Sequence, residues 1–257
     1  MTFNTGSSSA SGILYSNVTP TQAEGAGFNY QDVKAQVHLG LGLDPDQLET
    51  SENVFGIIID MDDSTSMNQG NKRDDAITGI NQFIEDLRNS KLAGDVLIAL
   101  RYLNRGTICE FTLLENFPEV SRNTFAPNGV TPIYDAAIID CALLKAKQAE
   151  MLQSGIHFRA MSLLVTDGEE YESMHTVGEA KNAIEVLKNS EAGQFTPVIM
   201  GVGIKDAKFS KLVTDLGYDD HCVLRCDERD FLKKLKMVSQ SAVRLSQGND
   251  FGGFLKS

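Results

Sequence analysis

The chain has 257 residues, 42% of them hydrophobic and 23% charged, enough for one large domain with its own core and ordinary for a globular protein. Its formal net charge of −12 disfavours nucleic acid and anionic membrane as partners and tolerates cations or basic protein surfaces. Met1–Gly12 has neither the basic start nor the apolar run of a secretory leader, and no apolar stretch approaches the ~20 residues of a membrane span.

Residues 1–50 read as an N-terminal arm. The Ser-, Thr- and Gly-rich start is expected to be disordered over about residues 1–20, and Val33, Val37 and Leu41 fall at helical spacing interrupted by Gly40 and Gly42. Such an arm packs loosely on the main domain or on a partner. From Val54 the pattern changes. Val54–Asp60 is a nearly continuous apolar run, as a strand buried on both faces requires. Ile77, Ile80, Phe83, Ile84 and Leu87 form the apolar stripe of a helix. Val96–Leu103 and Thr107–Leu114 flank an Asn104-Arg105-Gly106 turn, so they pair as an antiparallel hairpin at the sheet edge.

After a loop containing Pro127, Asn128 and Gly129, a helix presents Ala137, Cys141, Leu144 and Met151 on one face. Met161–Thr166 is a strand, Ala180–Leu187 a helix, Val198–Val202 a strand and Lys208–Leu216 a short helix closed by Gly217. His221–Leu224 is a last short strand, and Phe231, Leu235, Val238, Ala242 and Leu245 line a final helix before a mobile tail at 248–257. Strand and helix alternate over residues 51–247. That rhythm predicts an α/β domain of Rossmann-like, doubly wound type: a mostly parallel sheet with one antiparallel edge strand and helices on both faces.

In such a sheet, ligands bind beyond the carboxyl ends of the strands, where the strand order reverses. Three loops near those ends carry unusual polar content: Asp62-Asp63-Ser64-Thr65-Ser66, Asn128-Gly129-Val130-Thr131-Pro132 and Thr166-Asp167-Gly168-Glu169. Asp62, Ser64 and Ser66 alternate, so a turning loop aims all three at one point; Thr131 adds a hydroxyl and Asp167 a second carboxylate. All are hard oxygen donors with no His or Cys among them, which disfavours zinc and suits magnesium, with manganese as a competitor. The bland alternative is that Asp62, Ser64 and Ser66 only cap the next helix.

These motifs carry a resemblance. Asp62-x-Ser64-x-Ser66-Met67, Thr131 within Gly-Val-Thr-Pro-Ile-Tyr-Asp, and Asp167 within Leu-Leu-Val-Thr-Asp-Gly resemble the metal-ion-dependent adhesion site of von Willebrand factor A (vWA) domains, over about residues 54–245. The resemblance implies a bound magnesium and a protein partner that supplies an Asp or Glu to it. Val130 and Thr65 stand where such domains often have Gly, and neither change removes an oxygen donor. The final helix faintly resembles that of bacterial TerY-like members, which implies a stress-response or conflict/defence setting beside kinase, phosphatase or ATPase components.

Other polar clusters have plainer readings. Asp60 alternates onto the side of Asp62 and either supports it or is a satisfied structural aspartate. Glu169, Glu170 and Glu172 either tune partner choice at the rim or are simply solvated. Cys109, Cys141, Cys222 and Cys226 form no paired framework and read as free thiols of a reducing compartment, hence cytoplasm. Gly201-x-Gly203 reads as a turn and Lys233, Lys234 and Lys236 as the wet face of the last helix. The favoured function is a non-catalytic binding module. The alternatives are a metal-dependent phosphoester hydrolase, which lacks an isolated general base in these motifs, and a structural assembly subunit driven by the arm.

Overall fold

A computed structural model describes residues 37, 39–42, 53–90, 93–190, 194–204, 206–227 and 230–246. The expected disorder at the start of the arm and the mobile tail at 248–257 lie outside the described residues. The elements are β1 (Asn53–Met61), α1 (Lys72–Arg88), β2 (Val96–Tyr102), β3 (Gly106–Leu113), α2 (Ile133–Gln153), β4 (His157–Thr166), α3 (Val177–Lys188), β5 (Phe195–Val202), α4 (Asp206–Leu216), β6 (Val223–Cys226) and α5 (Phe231–Ser246).

The strands form one sheet in the order β3-β2-β1-β4-β5-β6. All neighbours are parallel except β2 and β3, the hairpin at the edge. β1 is central and buried on both faces because its alternation feeds two cores. Phe55, Ile57, Ile59 and Met61 pack with Phe83 and Leu87 of α1 and with Leu235 and Val238 of α5. Val54 and Ile58 pack in the opposite layer with α2, α3 and α4. The expected doubly wound α/β architecture is therefore present, with a helix layer on each face.

Three details differ from the sequence expectation. β4 begins at His157, four residues before Met161, because its polar-interrupted start is held by the β1 ladder from Asn53↔His157 onward. β6 falls at Val223–Cys226 rather than His221–Leu224, since Asp220–Cys222 makes a 3₁₀ turn. α2 is buried nearly all round instead of on one face. On this helix Leu143 lies against Gly40, and the buried Val37 belongs to the same core layer, so the end of the arm lies over α2. Gly42 (φ 58) approaches the backbone of Phe111 on β3, closer than any side chain there would allow.

Candidate functional site

The order of the sheet reverses between β1 and β4: from β1 the chain builds outward through β2 and β3, then returns to β4 on the other side. The ends of the two strands are locked in register by Met61↔Val165, and Asp62 N donates to Val165 O at 2.8 Å. Asp62 follows β1 and Asp167 follows β4, so both carboxylates stand at the crevice where this type of sheet binds ligands.

Hydrogen bonds tie the first and third motifs together. Ser64 Oγ and Ser66 Oγ lie 2.9 Å apart, and Ser66 Oγ donates to Asp167 Oδ1 at 2.7 Å. Asp62 is fully buried; its Oδ1 accepts from Ser64 N at 2.8 Å and its Oδ2 from Thr166 Oγ1 at 2.6 Å. Burial pushes the Asp62 carboxyl up to about 6, against the pull of the Ser64 and Thr166 hydrogen bonds, with the Asp167 charge adding to the rise.

The second motif joins the same place. Thr65 N donates to Gly129 O at 3.2 Å and Asn128 N to Asp63 O at 2.7 Å, which hold the 128–132 loop against the first. Thr131 is buried and bridged to Tyr171 in the loop after β4. A methyl group on Gly168 would stand 3.3 Å from Thr131 Oγ1 and 3.7 Å from Asp62 Oδ2. The hydroxyl and the carboxylate therefore face a common gap that the absence of a Cβ keeps open.

Two residues of the site were not singled out by sequence reasoning. Lys72, at the start of α1, places its ammonium 2.5 Å from Asp167 Oδ2. Thr166 holds Asp62. Neither lies in a recognisable spacing, although Thr166 immediately precedes Asp167 at a strand end, a position that could have marked it.

The neighbouring acids have structural duties. Asp63 accepts from Asn104 N and Nδ2, each at 2.8 Å, and from Arg105 Nε at 3.1 Å, fastening the β2–β3 turn beside the site. Asp60 lies with Arg101 and Asp140, not with the five donors: Arg101 Nε is 3.4 Å from Asp60 Oδ2 and 3.0 Å from Asp140 Oδ1. Asp60 is therefore a structural aspartate paired with Arg101 through Oδ2, while its buried Oδ1 has no hydrogen-bond partner among the described residues. Glu170 is neither a rim charge nor simply solvated; it accepts from the backbone N–H of Tyr134 at 3.1 Å and caps α2. Glu169 pairs with Lys208. The four cysteines are free thiols, and burial pushes both Cys222 and Cys226 up to about 12. Gly203 (φ 65) makes the expected turn, but Gly201 lies in β5, where Phe209 covers it.

No protein-family model and no curated protein sequence matches the chain. Solved structures do. The pilus adhesin SpaC of Lactobacillus rhamnosus GG in its open conformation superposes with a TM-score of 0.59 at 14% identity, over 77% of this chain and 30% of that one. The vWF domain of the type V pili tip protein Mfa5 from Porphyromonas gingivalis superposes with a TM-score of 0.56 at 12% identity, over 78% of this chain and 99% of the domain.

The chain has the von Willebrand factor A fold.

This vWA-fold chain thus spans the whole of the Mfa5 domain but about 30% of the SpaC chain. At such identities the likeness concerns the fold, and the chemistry must be argued from the residues. Among the described residues, no three His, Cys, Asp or Glu side chains converge as a metal cluster. The donor set here is different in kind: two carboxylates and three hydroxyls. That set fits a hard cation. A desolvated carboxylate at Asp62, a gap beside Gly168, and a cation already drawn to Asp167 in the form of Lys72 all point the same way. Among the described residues, no helix is long and apolar enough to cross a membrane.

Proposed function

We propose that the chain is a non-catalytic protein-interaction domain that binds a carboxylate of its partner through a magnesium ion held by Asp62, Ser64, Ser66, Thr131 and Asp167. The carrying observation is the convergence of Asp62, Ser64, Ser66 and Asp167 with Thr131 around Gly168 at the switch point of the sheet. When bound, the ion would supply a Lewis-acidic centre whose charge Asp62 and Asp167 just balance, because the hydroxyls contribute none; a partner Asp or Glu would then take a place in its shell otherwise held by water. Manganese competes for the same donors.

The surroundings favour binding over catalysis. His175, on the loop after β4, is buried and ties that loop to α2, with its Nδ1 2.7 Å from Asp135 Oδ1; its 7% exposure leaves it little access to a bound substrate. Tyr171 and Met174 stand on that same loop with 60% and 74% exposure, available for apolar contact with a partner. An adhesin and a pilus tip protein carry the same fold, which supports a binding role. Buried free thiols support a reducing compartment, so we place the chain in the cytoplasm, as an adaptor in a bacterial stress-response or defence system beside kinase, phosphatase or ATPase components, as the TerY-like character of α5 suggests.

The test has two arms. Magnesium titrated calorimetrically into stripped protein binds, and Asp62→Ala weakens that binding at least tenfold. Partner captured by the native chain in magnesium is released by EDTA and is not captured by Thr131→Ala. Equal capture by native, chelated and Thr131→Ala protein refutes the metal bridge.

A further inference from the structure

We propose that Lys72 is a tethered cation of this site, holding Asp167 when the divalent ion is absent, weakening ion binding, and leaving the loaded site more positive toward a partner carboxylate. The inference rests on the metal reading above and extends it to a residue outside the ligand set.

The geometry sets Lys72 apart from a surface ion pair. Its ammonium lies 2.5 Å from Asp167 Oδ2, with side-chain exposures of 12% for the lysine and 0% for the aspartate. Lysine is almost never so buried without a partner. Its stem passes the turn after β5, where Cε comes within 3.9 Å of the Cβ position of Gly203.

Helix physics makes the position still more telling. Lys72 is the first residue of α1, where the macrodipole disfavours positive charge. The acidic Asp74 and Asp75 in the same turn are the usual choice there. A lysine at this place is locally unfavourable, and what offsets it is Asp167 across the crevice. A residue that breaks a local rule for a long-range contact marks a site where something other than helix stability is served.

The electrostatics follow from counting. With Asp62 and Asp167 ionised, the cluster carries −2 from the carboxylates and +1 from Lys72, a sum of −1. A divalent ion turns that into +1; without Lys72 the loaded site would be neutral. Ammonium and ion would also compete for the Asp167 carboxylate. Lys72 therefore lowers affinity for the ion and raises the attraction of the loaded site for an anion.

The experiment compares wild type, Lys72→Met, Lys72→Gln and Lys72→Arg, all stripped of metal and titrated with magnesium by calorimetry. The glutamine variant keeps a donor for Asp167 and drops the charge, so it serves if Lys72→Met does not fold. The expected result is about tenfold tighter magnesium binding in the neutral variants, near-native binding in Lys72→Arg, and a larger ion-induced rise in unfolding temperature in the neutral variants because their metal-free form is weakened. A merely structural lysine would give the opposite sign, looser binding on removal. Unchanged or weaker binding in folded neutral variants overturns the role of Lys72, while binding lost in Asp62→Ala keeps the metal site itself. Absence of magnesium binding in wild type and neutral variants alike overturns both.

Discussion

Arg101, on strand β2 beside β1, is fully buried with two carboxylates and one hydroxyl around it: Asp60, Asp140 and Thr107, the last at 3.2 Å from Nη1. One guanidinium neutralises one carboxylate, so a proton must settle on the other. Burial, and then the Asp60 charge, raise the Asp140 carboxyl well above its ordinary 3.8, which favours the proton on Asp140 beside an ionised Asp60. The unfolded chain releases that proton near 3.8 while the folded one keeps it to higher pH. Between those values the folded state binds more protons, so this group's contribution to stability falls as pH rises from about 4 toward the raised folded value. Asp140→Asn imitates the protonated form. Urea unfolding from pH 4 to 8 should show a flatter pH dependence and no loss at neutral pH for that variant. Arg101→Met should cost about 3–5 kcal/mol, because it strands a buried charge. A steep pH slope retained in Asp140→Asn would reject the shared proton. The sequence showed Asp60 two residues from Asp62 and left its role open; the answer depended on Arg101 and Asp140, which lie on other elements.

Among the elements, α2 shows how a helix terminus can be built from a distant loop. Its N-cap residue is Pro132, which offers no side-chain acceptor. The orphan N–H groups of Tyr134 and Asp135 are satisfied instead by Ser173 Oγ, and Tyr134 N also by Glu170 Oε2. Asp135 returns the favour by accepting from the backbone N–H of Met174 and His175, each at 2.9 Å. On this clasped loop Tyr171, bridged to Thr131, and Met174 stand out in solvent, and Glu172 takes a left-handed conformation (φ 69). Glu170→Ala should cost about 1 kcal/mol in thermal or urea unfolding, as loss of a cap does. It should also loosen hydrogen exchange at Tyr134 and Tyr171 while α1 and α5 keep their protection. A global loss of protection would show that the clasp does more than cap. The acidic run Glu169–Glu172 reads in sequence as rim or solvated charge, because capping is legible only when the acceptor immediately precedes its helix.

For the molecule as a whole, the two apolar layers on either side of the sheet contain none of the five proposed ligands. Folding is therefore expected to proceed without the ion, and chelation should leave a single cooperative unfolding transition. Magnesium at about a hundred times its dissociation constant should add about 2.7 kcal/mol to stability, read as a rise in unfolding temperature that Asp62→Ala abolishes. Unfolding by EDTA alone would mean that the ion is part of the core architecture rather than a ligand placed upon it. Core packing has its own vulnerable point at Gly56 in β1, where an added Cβ would come within 2.2 Å of the Phe158 ring; Gly56→Ala should cost about 1–3 kcal/mol through overpacking.

The doubly wound plan was legible because it rests on local regularities: unbroken apolar runs such as Val54–Asp60, the stripe from Ile77 to Leu87, and turns such as Asn104-Arg105-Gly106. The neighbourhood of the five candidate donors was legible for the same reason, since each motif lies in one loop whose place at a strand end follows from the plan. The partners of those donors were not. Lys72 meets Asp167 across 95 residues, Thr166 meets Asp62 across 104, and Glu170 reaches back to α2 across 36. Such contacts obey no period or spacing along the chain. They are decided when the sheet orders its strands β3-β2-β1-β4-β5-β6 and brings the ends of β1 and β4 side by side, which only the folded chain does.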